Sequence, residues 1–205
     1  MNVTETPRPS RWQISTRDLA VAGIFGALSI VLAATPLGMI PVPNMSAAAT
    51  TLHIPAIIAG VVSGPVVGAI VGLILAFTSW YYYSPIFLNF MGGNLLFALI
   101  DAFLPRILIG VLAYYTYRLL RRWPNVASGV AGLVGTLTNS IGVLGLLLLL
   151  GTAEAATLVP VILTNVPFEI ILAIIITIPV VAALRAAWRG QIAGAQFRPE
   201  RSPRG

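Results

Sequence analysis

Residues 97–110 read FALIDAFLPRILIG, an apolar run that carries Asp101 and Arg106 far from either of its ends. The surroundings decide what kind of helix this is. Of 205 residues, 58% are hydrophobic and 9% charged, and the mean hydropathy is +0.93. Such values belong to an integral membrane protein and not to a soluble domain with a large core. The chain has no cysteine and a single histidine, His53. Disulfides, thiolate metal sites and histidine-rich metal centres are therefore not expected, and no cofactor is implied. No G-x-x-x-x-G-K-[ST] loop occurs, so any ATP-driven work falls to a partner.

A spanning helix needs about 20 mostly apolar residues. Apolar runs, cut by Pro, Gly and Arg, predict six helices near 18–35, 51–63, 65–82, 94–118, 125–150 and 158–184. VVSGPVVG (61–68) separates the short second from the third, and Pro65 suits the first turn of a new helix. The fold class is thus an all-α membrane protein, a six-helix transmembrane bundle over 18–188. Residues 1–17 and 189–205, rich in Pro, Arg and Ser, read as tails outside it. A cleaved leader is the weaker reading of the N-terminus, since LAAT (32–35) matches a cleavage site only in outline.

With six spans, Arg8, Arg11 and Arg17, then Arg118, Arg121 and Arg122, then Arg185, Arg189, Arg198, Arg201 and Arg204 all fall on one side. The opposite loops hold only Glu154. The positive-inside rule assigns the arginine side, with both termini, to the cytoplasm of a plasma (inner) membrane. The net charge of +6 is accordingly a topology signal, and nucleic acid is not an expected partner.

Depth then gives Arg106 its setting. At 1.5 Å per residue, Arg106 on the fourth helix lies about 18 Å below the outer end, and Asn139 and Glu169 on the fifth and sixth lie at about 16 Å. Asp101 and Asn165 sit higher, at about 10 Å. Asn165 and Glu169 are four apart and share a helix face. A lone charge near the bilayer centre costs about 2.5–3.5 kcal/mol even on insertion scales. Arg106 must therefore face the bundle interior. Asp101 is about 140° away around an ideal helix, which makes Glu169 the better partner unless Pro105 bends the helix. Two readings stand: an Arg106–Glu169 bridge that is purely structural, or a polar cavity open to the outside, the usual meaning of intramembrane charge.

FTSWYYYSPIFLNFMGGN (77–94) places Trp80, Tyr81, Tyr82 and Tyr83 at the outer interface, as an aromatic belt from which one or two rings roof a pocket. Asn94 closes this stretch. In the first outer loop, TPLGMIPVPNMSAAATTLHIP (35–55), Pro36, Pro41 and Pro43 stiffen a lid whose polar groups are Asn44, Thr50, Thr51 and His53. In LAVAGIFGALS (19–29), Ala22 and Gly26, like Gly23 and Ala27, are small residues four apart. Such a face serves close helix packing in lipid, either within the bundle or against another membrane subunit.

These stretches resemble the substrate-specificity (S) components of energy-coupling factor (ECF) vitamin transporters. The similarity runs through TPLGMIPVP (35–43), TTLHIPAIIAGVVSGPVVGAIVGLILAF (50–77), LPRILIGVLAYYTY (104–117), VGTLTNSIGVLGLL (134–147) and NVPFEIILAIIITIP (165–179). It covers nearly the whole membrane part and is closest to the branch called pantothenate-type, itself similar to cobalamin-specific members. The resemblance implies a six-helix protein that binds a vitamin from outside, docks on a transmembrane T component driven by two cytoplasmic ATPases, and topples to release its cargo. It implies docking through Ala22, Gly23, Gly26 and Ala27, and a pocket built from the first outer loop and the outer halves of helices 4, 5 and 6. On that reading the vitamin-binding residues are Arg106, Asn139, Glu169, Asn165, Asp101, His53, Asn44, Tyr83 and Asn94. TNS (138–140) stands where the family pattern would give TNT, a change that keeps a hydroxyl.

A small anionic vitamin such as pantothenate suits Arg106, whose planar fork grips a carboxylate bidentately; a corrinoid would need a wider, mainly apolar cavity. An intramembrane enzyme is disfavoured: Ser63 lacks the G-x-S-G context, and His53 precedes it. A scaffold or small channel subunit would use Arg106 and Glu169 as structure alone.

Overall fold

The computed structural model describes residues 14–41, 48–151 and 155–196. Their order is α1 (Thr16–Ala34), a 3-10 turn (Pro36–Gly38), β1 (Met39–Pro41), β2 (Ala48–Thr50), α2 (Ile54–Ser63), α3 (Pro65–Phe90), α4 (Leu95–Leu119), α5 (Pro124–Leu150) and α6 (Ala155–Gln196). The boundaries follow local chemistry. Ser15 and Asp18 form a reciprocal cap on α1, the Asp18 amide donating to Ser15 Oγ at 3.2 Å and the Ser15 amide to Asp18 Oδ2 at 3.1 Å. Gly64, at φ 99°, turns the chain between α2 and α3 in a conformation open to glycine. Asn94 Oδ1 caps α4 by accepting from the Phe97 amide at 3.2 Å.

Among the described residues, five helices are long and apolar enough to cross a membrane: Thr16–Ala34, Pro65–Phe90, Leu95–Leu119, Pro124–Leu150 and the Leu158–Trp188 part of α6. The second predicted helix differs. With ten residues, α2 rises about 15 Å, half the hydrocarbon thickness of about 30 Å. Its length is not set by lipid, because it does not meet lipid: Ile54–Val61 are all buried, packed against α1, α3, α4, α5 and α6. The five long helices instead turn large apolar side chains outward, among them Leu19, Phe77, Leu104, Leu149 and Ile175.

Two predicted helices are longer than their hydropathy suggests. α3 passes Pro85 to reach Phe90, and α6 contains Pro160, Pro167 and Pro179. A proline inside a helix removes one backbone hydrogen bond, which membrane helices tolerate when neighbours satisfy the freed carbonyl. The predicted first outer loop folds partly into a two-stranded antiparallel hairpin, with Met39 opposite Thr50 and Pro41 opposite Ala48. Asn44 lies outside the described residues.

Glycines set the closeness of α2, α3 and α4. A Cβ on Gly68 would lie 2.7 Å from the Gly60 Cα and 2.8 Å from the Gly110 Cα, and one on Gly72 would collide with the Arg106 carbonyl. Arg17, Arg118, Arg121, Arg122 and Arg185 line two adjoining clefts at one end of the bundle. The hairpin lies beyond the C-terminus of α1, at the other end.

Candidate functional site

Arg106 owes its position to the residue before it. Pro105 has no N–H to offer the carbonyl of Asp101, four residues back. The Arg106 guanidinium takes that place, Nη1 donating to the Asp101 carbonyl oxygen at 2.6 Å. Its Cζ sits 5.1 Å from the centroid of the Phe87 ring, a cation–π contact that holds the plane of the fork. Asp101 is fully buried, and neither of its carboxylate oxygens has a hydrogen-bond partner among the described residues. The aspartate five residues away thus meets Arg106 through its main chain. The predicted Arg106–Glu169 bridge is not formed.

Arg106 faces a cavity of about 350 Å³. The hairpin and the residues after it give Met39, Thr50, Leu52 and His53; α3 gives Leu75, Ser79, Tyr83, Ile86 and Phe87; α5 gives Asn139. Arg106 and Asn139, predicted at similar depths on different helices, are brought together. Among the described residues the Asn139 amide makes no hydrogen bond within the protein. His53 is buried, its Nε2 hydrogen-bonded to Thr136 Oγ1 at 3.0 Å. Tyr83 donates from its hydroxyl to the Ala33 carbonyl at 3.3 Å, which ties α3 to the end of α1. Tyr81 and Tyr82 are exposed, while Trp80 stacks on Phe87 at 6.3 Å.

The remaining predicted residues lie elsewhere. Glu169 does not line the cavity; it clamps the hairpin. Its Oε1 accepts from the Thr50 amide at 2.7 Å and the Thr50 hydroxyl at 3.2 Å, and its Oε2 accepts from Ser140 Oγ at 2.9 Å. β2, α5 and α6 are joined through this one carboxylate, so Glu169 touches the site through Thr50. Replacing Glu169 by Leu leaves the Thr50 amide, the Thr50 hydroxyl and the Ser140 hydroxyl without their acceptor. A lost buried hydrogen bond of this kind costs about 1–3 kcal/mol, and the thermal midpoint is expected to fall by about 5 °C; an unchanged midpoint would show the clamp to be immaterial. Asn165 is buried one turn from Glu169, its Oδ1 accepting from Thr164 Oγ1 at 3.2 Å, and it is not among the cavity's lining residues. Asn94 is an exposed helix cap.

The sequence reading missed Ser79, Phe87 and Thr136. Thr136 and Ser140 are four apart on α5 and share a face near Asn139, a spacing visible in GTLTNS (135–140). Of α3 only Tyr83 was anticipated: Ser79 lies within the predicted helix with nothing to set it apart, and Phe87 lies past the point where hydropathy ended that helix.

On the predicted α1 face, the four small residues divide. Ala22 and Gly26 are buried, and a Cβ on Gly26 would lie 2.6 Å from Ile74 Cδ1 of α3. Gly23 and Ala27 are exposed, with nothing within 4 Å of a Cβ on Gly23.

Residues 17–181 match the family described as ECF transporter, substrate-specific component. A pantothenic acid transporter, PanT, from Lactococcus lactis subsp. cremoris (strain MG1363) is 30% identical over 189 residues, spanning 83% of this chain and 94% of that relative. The matched region takes in the hairpin, the Arg106–Asn139 cavity and all five long helices but for the ends of the first and last, so the likeness extends over the whole architecture described above. The chain is a member of the substrate-specific components of ECF transporters.

Proposed function

We propose that this protein captures pantothenate, or a close relative of it, from outside the cell and hands it inward through an ECF module. The observation that carries the reading is a buried guanidinium facing a small cavity. Arg106 would bind the carboxylate through its remaining N–H groups, and Asn139, Thr50, Ser79 and Tyr83 would meet the ligand's amide and hydroxyls. The cavity, about 350 Å³, lies at the lower end of the range of about 300–1,000 Å³ for small-molecule pockets. That suits a compact acid and is too small for a corrinoid. Pantothenic acid is also what the Lactococcus relative is named for transporting.

The arginine-bearing end would face the cytoplasm. The hairpin and α2 together would make the second of six passes, leaving both termini inside and the hairpin as the outer lid. Docking on the T component, with its two ATPases, would use the exposed half of the α1 face, Gly23 and Ala27, since Ala22 and Gly26 are taken up by the bundle. Toppling on that partner would then carry the loaded cavity to the inner side.

Titration calorimetry on the purified full-length protein tests the binding step: pantothenate is expected to bind with submicromolar affinity, and absence of heat would sink the reading. Gly23→Leu combined with Ala27→Leu tests docking. Both side chains have room in the isolated protein, so binding should be kept while uptake in cells supplying the T component and ATPases falls at least about tenfold, a penalty near 1.4 kcal/mol at the interface. Loss of binding together with uptake would remove this face from the docking role.

A further inference from the structure

At the end of the bundle opposite the hairpin lies a cleft of about 640 Å³, lined by Arg17, Arg121, Arg122 and Arg185 with Tyr117 and Trp188. We propose that it binds a phosphate-bearing anion, the headgroup of an acidic phospholipid, at the membrane surface. The arginines come from three places: the first turn of α1, the turn between α4 and α5, and the last part of α6. The positive-inside rule asks for arginines in the loops of this side, but not that they converge on one concavity, where like charges repel.

Nor do the described residues neutralise them. The only ion pair among the described residues is a long one, Arg17 Nη2 to Asp18 Oδ1 at 3.8 Å, and Asp18 is already held in the α1 cap through its other oxygen, Oδ2. No hydrogen bond from the four guanidinium groups to the protein occurs among the described residues. Three of them are instead steadied by aromatic faces: Arg17 Cζ lies 4.5 Å from the Trp188 ring centroid, Arg185 Cζ 5.9 Å from that of Tyr117 and Arg122 Cζ 6.0 Å from that of Trp123. Rings of Trp and Tyr at a helix end favour the headgroup layer. A concave set of four positive forks at that level, whose donors are not spent on the described residues, matches phosphate oxygens, which guanidinium binds bidentately. Basic pockets between membrane helices take such headgroups in the same way. The inference needs only that the protein sits in a membrane; it does not depend on the vitamin.

The test uses the full-length protein in dodecyl maltoside micelles with three probes: tetraoleoyl cardiolipin, dioleoyl phosphatidylcholine and sodium pyrophosphate. Cardiolipin is expected to remain bound in native mass spectra and to raise the thermal midpoint by about 5 °C near saturation, with no effect of phosphatidylcholine. Arg121→Gln with Arg185→Gln should weaken cardiolipin binding at least about tenfold, as expected for two lost charge-assisted contacts. Arg121→Lys with Arg185→Lys, which keeps the charge and so the insertion signal, should fall between; it also serves if the Gln variant does not fold. Pyrophosphate acting as strongly as cardiolipin would keep the phosphate chemistry and assign it to a soluble ligand. Binding of neither, or equal binding by wild type and both variants, would overturn the proposal.

Discussion

Replacing Arg106 by Gln is expected to weaken pantothenate binding by about 30-fold to several thousand-fold, the equivalent of the 2–5 kcal/mol lost when one member of a buried charge pair is truncated. The loss has two sources. The ligand carboxylate no longer meets a guanidinium, and the fork no longer caps the Asp101 carbonyl that Pro105 leaves open. The first is specific to the ligand's charge, and the second is not. Pantothenol, whose carboxylate is reduced to an alcohol, separates them. Wild-type protein should discriminate strongly against it, whereas Arg106→Gln should bind acid and alcohol alike, because the coupling between the two changes isolates the ion pair. Arg106→Lys should be intermediate, keeping a charge without the planar fork. Titration calorimetry with both ligands reads the four combinations. Full discrimination by Arg106→Gln would place the carboxylate elsewhere in the protein.

The second large effect comes from a residue that touches no ligand. Gly72 of α3 lies against the main chain of α4 at Arg106, where a Cβ would collide with the Arg106 carbonyl and lie 3.1 Å from the Ile107 Cα. Both obstacles are backbone, so one helix must move. Overpacking of this kind costs about 1–3 kcal/mol, and Gly72→Ala is expected to lower the thermal midpoint by about 5 °C. Because the atom displaced belongs to Arg106, ligand affinity should drop as well, by about tenfold if the fork is misplaced at a cost near 1.4 kcal/mol. Gly23→Ala is the contrasting substitution. Nothing lies within 4 Å of its Cβ, and exchanging a helical glycine for alanine there is expected to stabilise by about 0.5–1 kcal/mol. Equal stability changes at Gly72 and Gly23 would show that the α3–α4 contact is looser than the structure has it.

The glycine seam also explains how a small membrane protein builds a polar site. Where α2, α3 and α4 approach through Gly60, Gly68, Gly72 and Gly110, no side chain fits between the backbones. Close contact in this way is a main source of helix association in lipid, where burying apolar surface gains little. Further along α3 the residues become large, and Tyr83 and Phe87 border the cavity together with the side chain of Arg106, whose main chain closes the seam against Gly72. The change from glycine to bulky residues along the same helix leaves room for a ligand beside tight packing.

Length, hydropathy and the placing of arginines were enough to read a helical membrane protein from the sequence, to locate the five long helices within a few residues at most ends, and to assign Arg106 and Asn139 to one layer. These are one-dimensional properties: apolar length is matched to bilayer thickness, and depth along a helix is a residue count multiplied by a fixed rise. Rotation about the helix axis is not one-dimensional. In α3 to α6 nearly every face is apolar, so periodicity does not tell which side meets lipid and which meets a neighbour. Only the tertiary structure decided that Arg106 turns to Phe87 and the Asp101 carbonyl, that Glu169 turns to Thr50 and Ser140, and that α2 is buried among the other helices. The physical reason is the same in each case. A buried polar group is directed by the donors and acceptors within its reach, and in this chain those partners come from a β-hairpin and from helices distant in sequence.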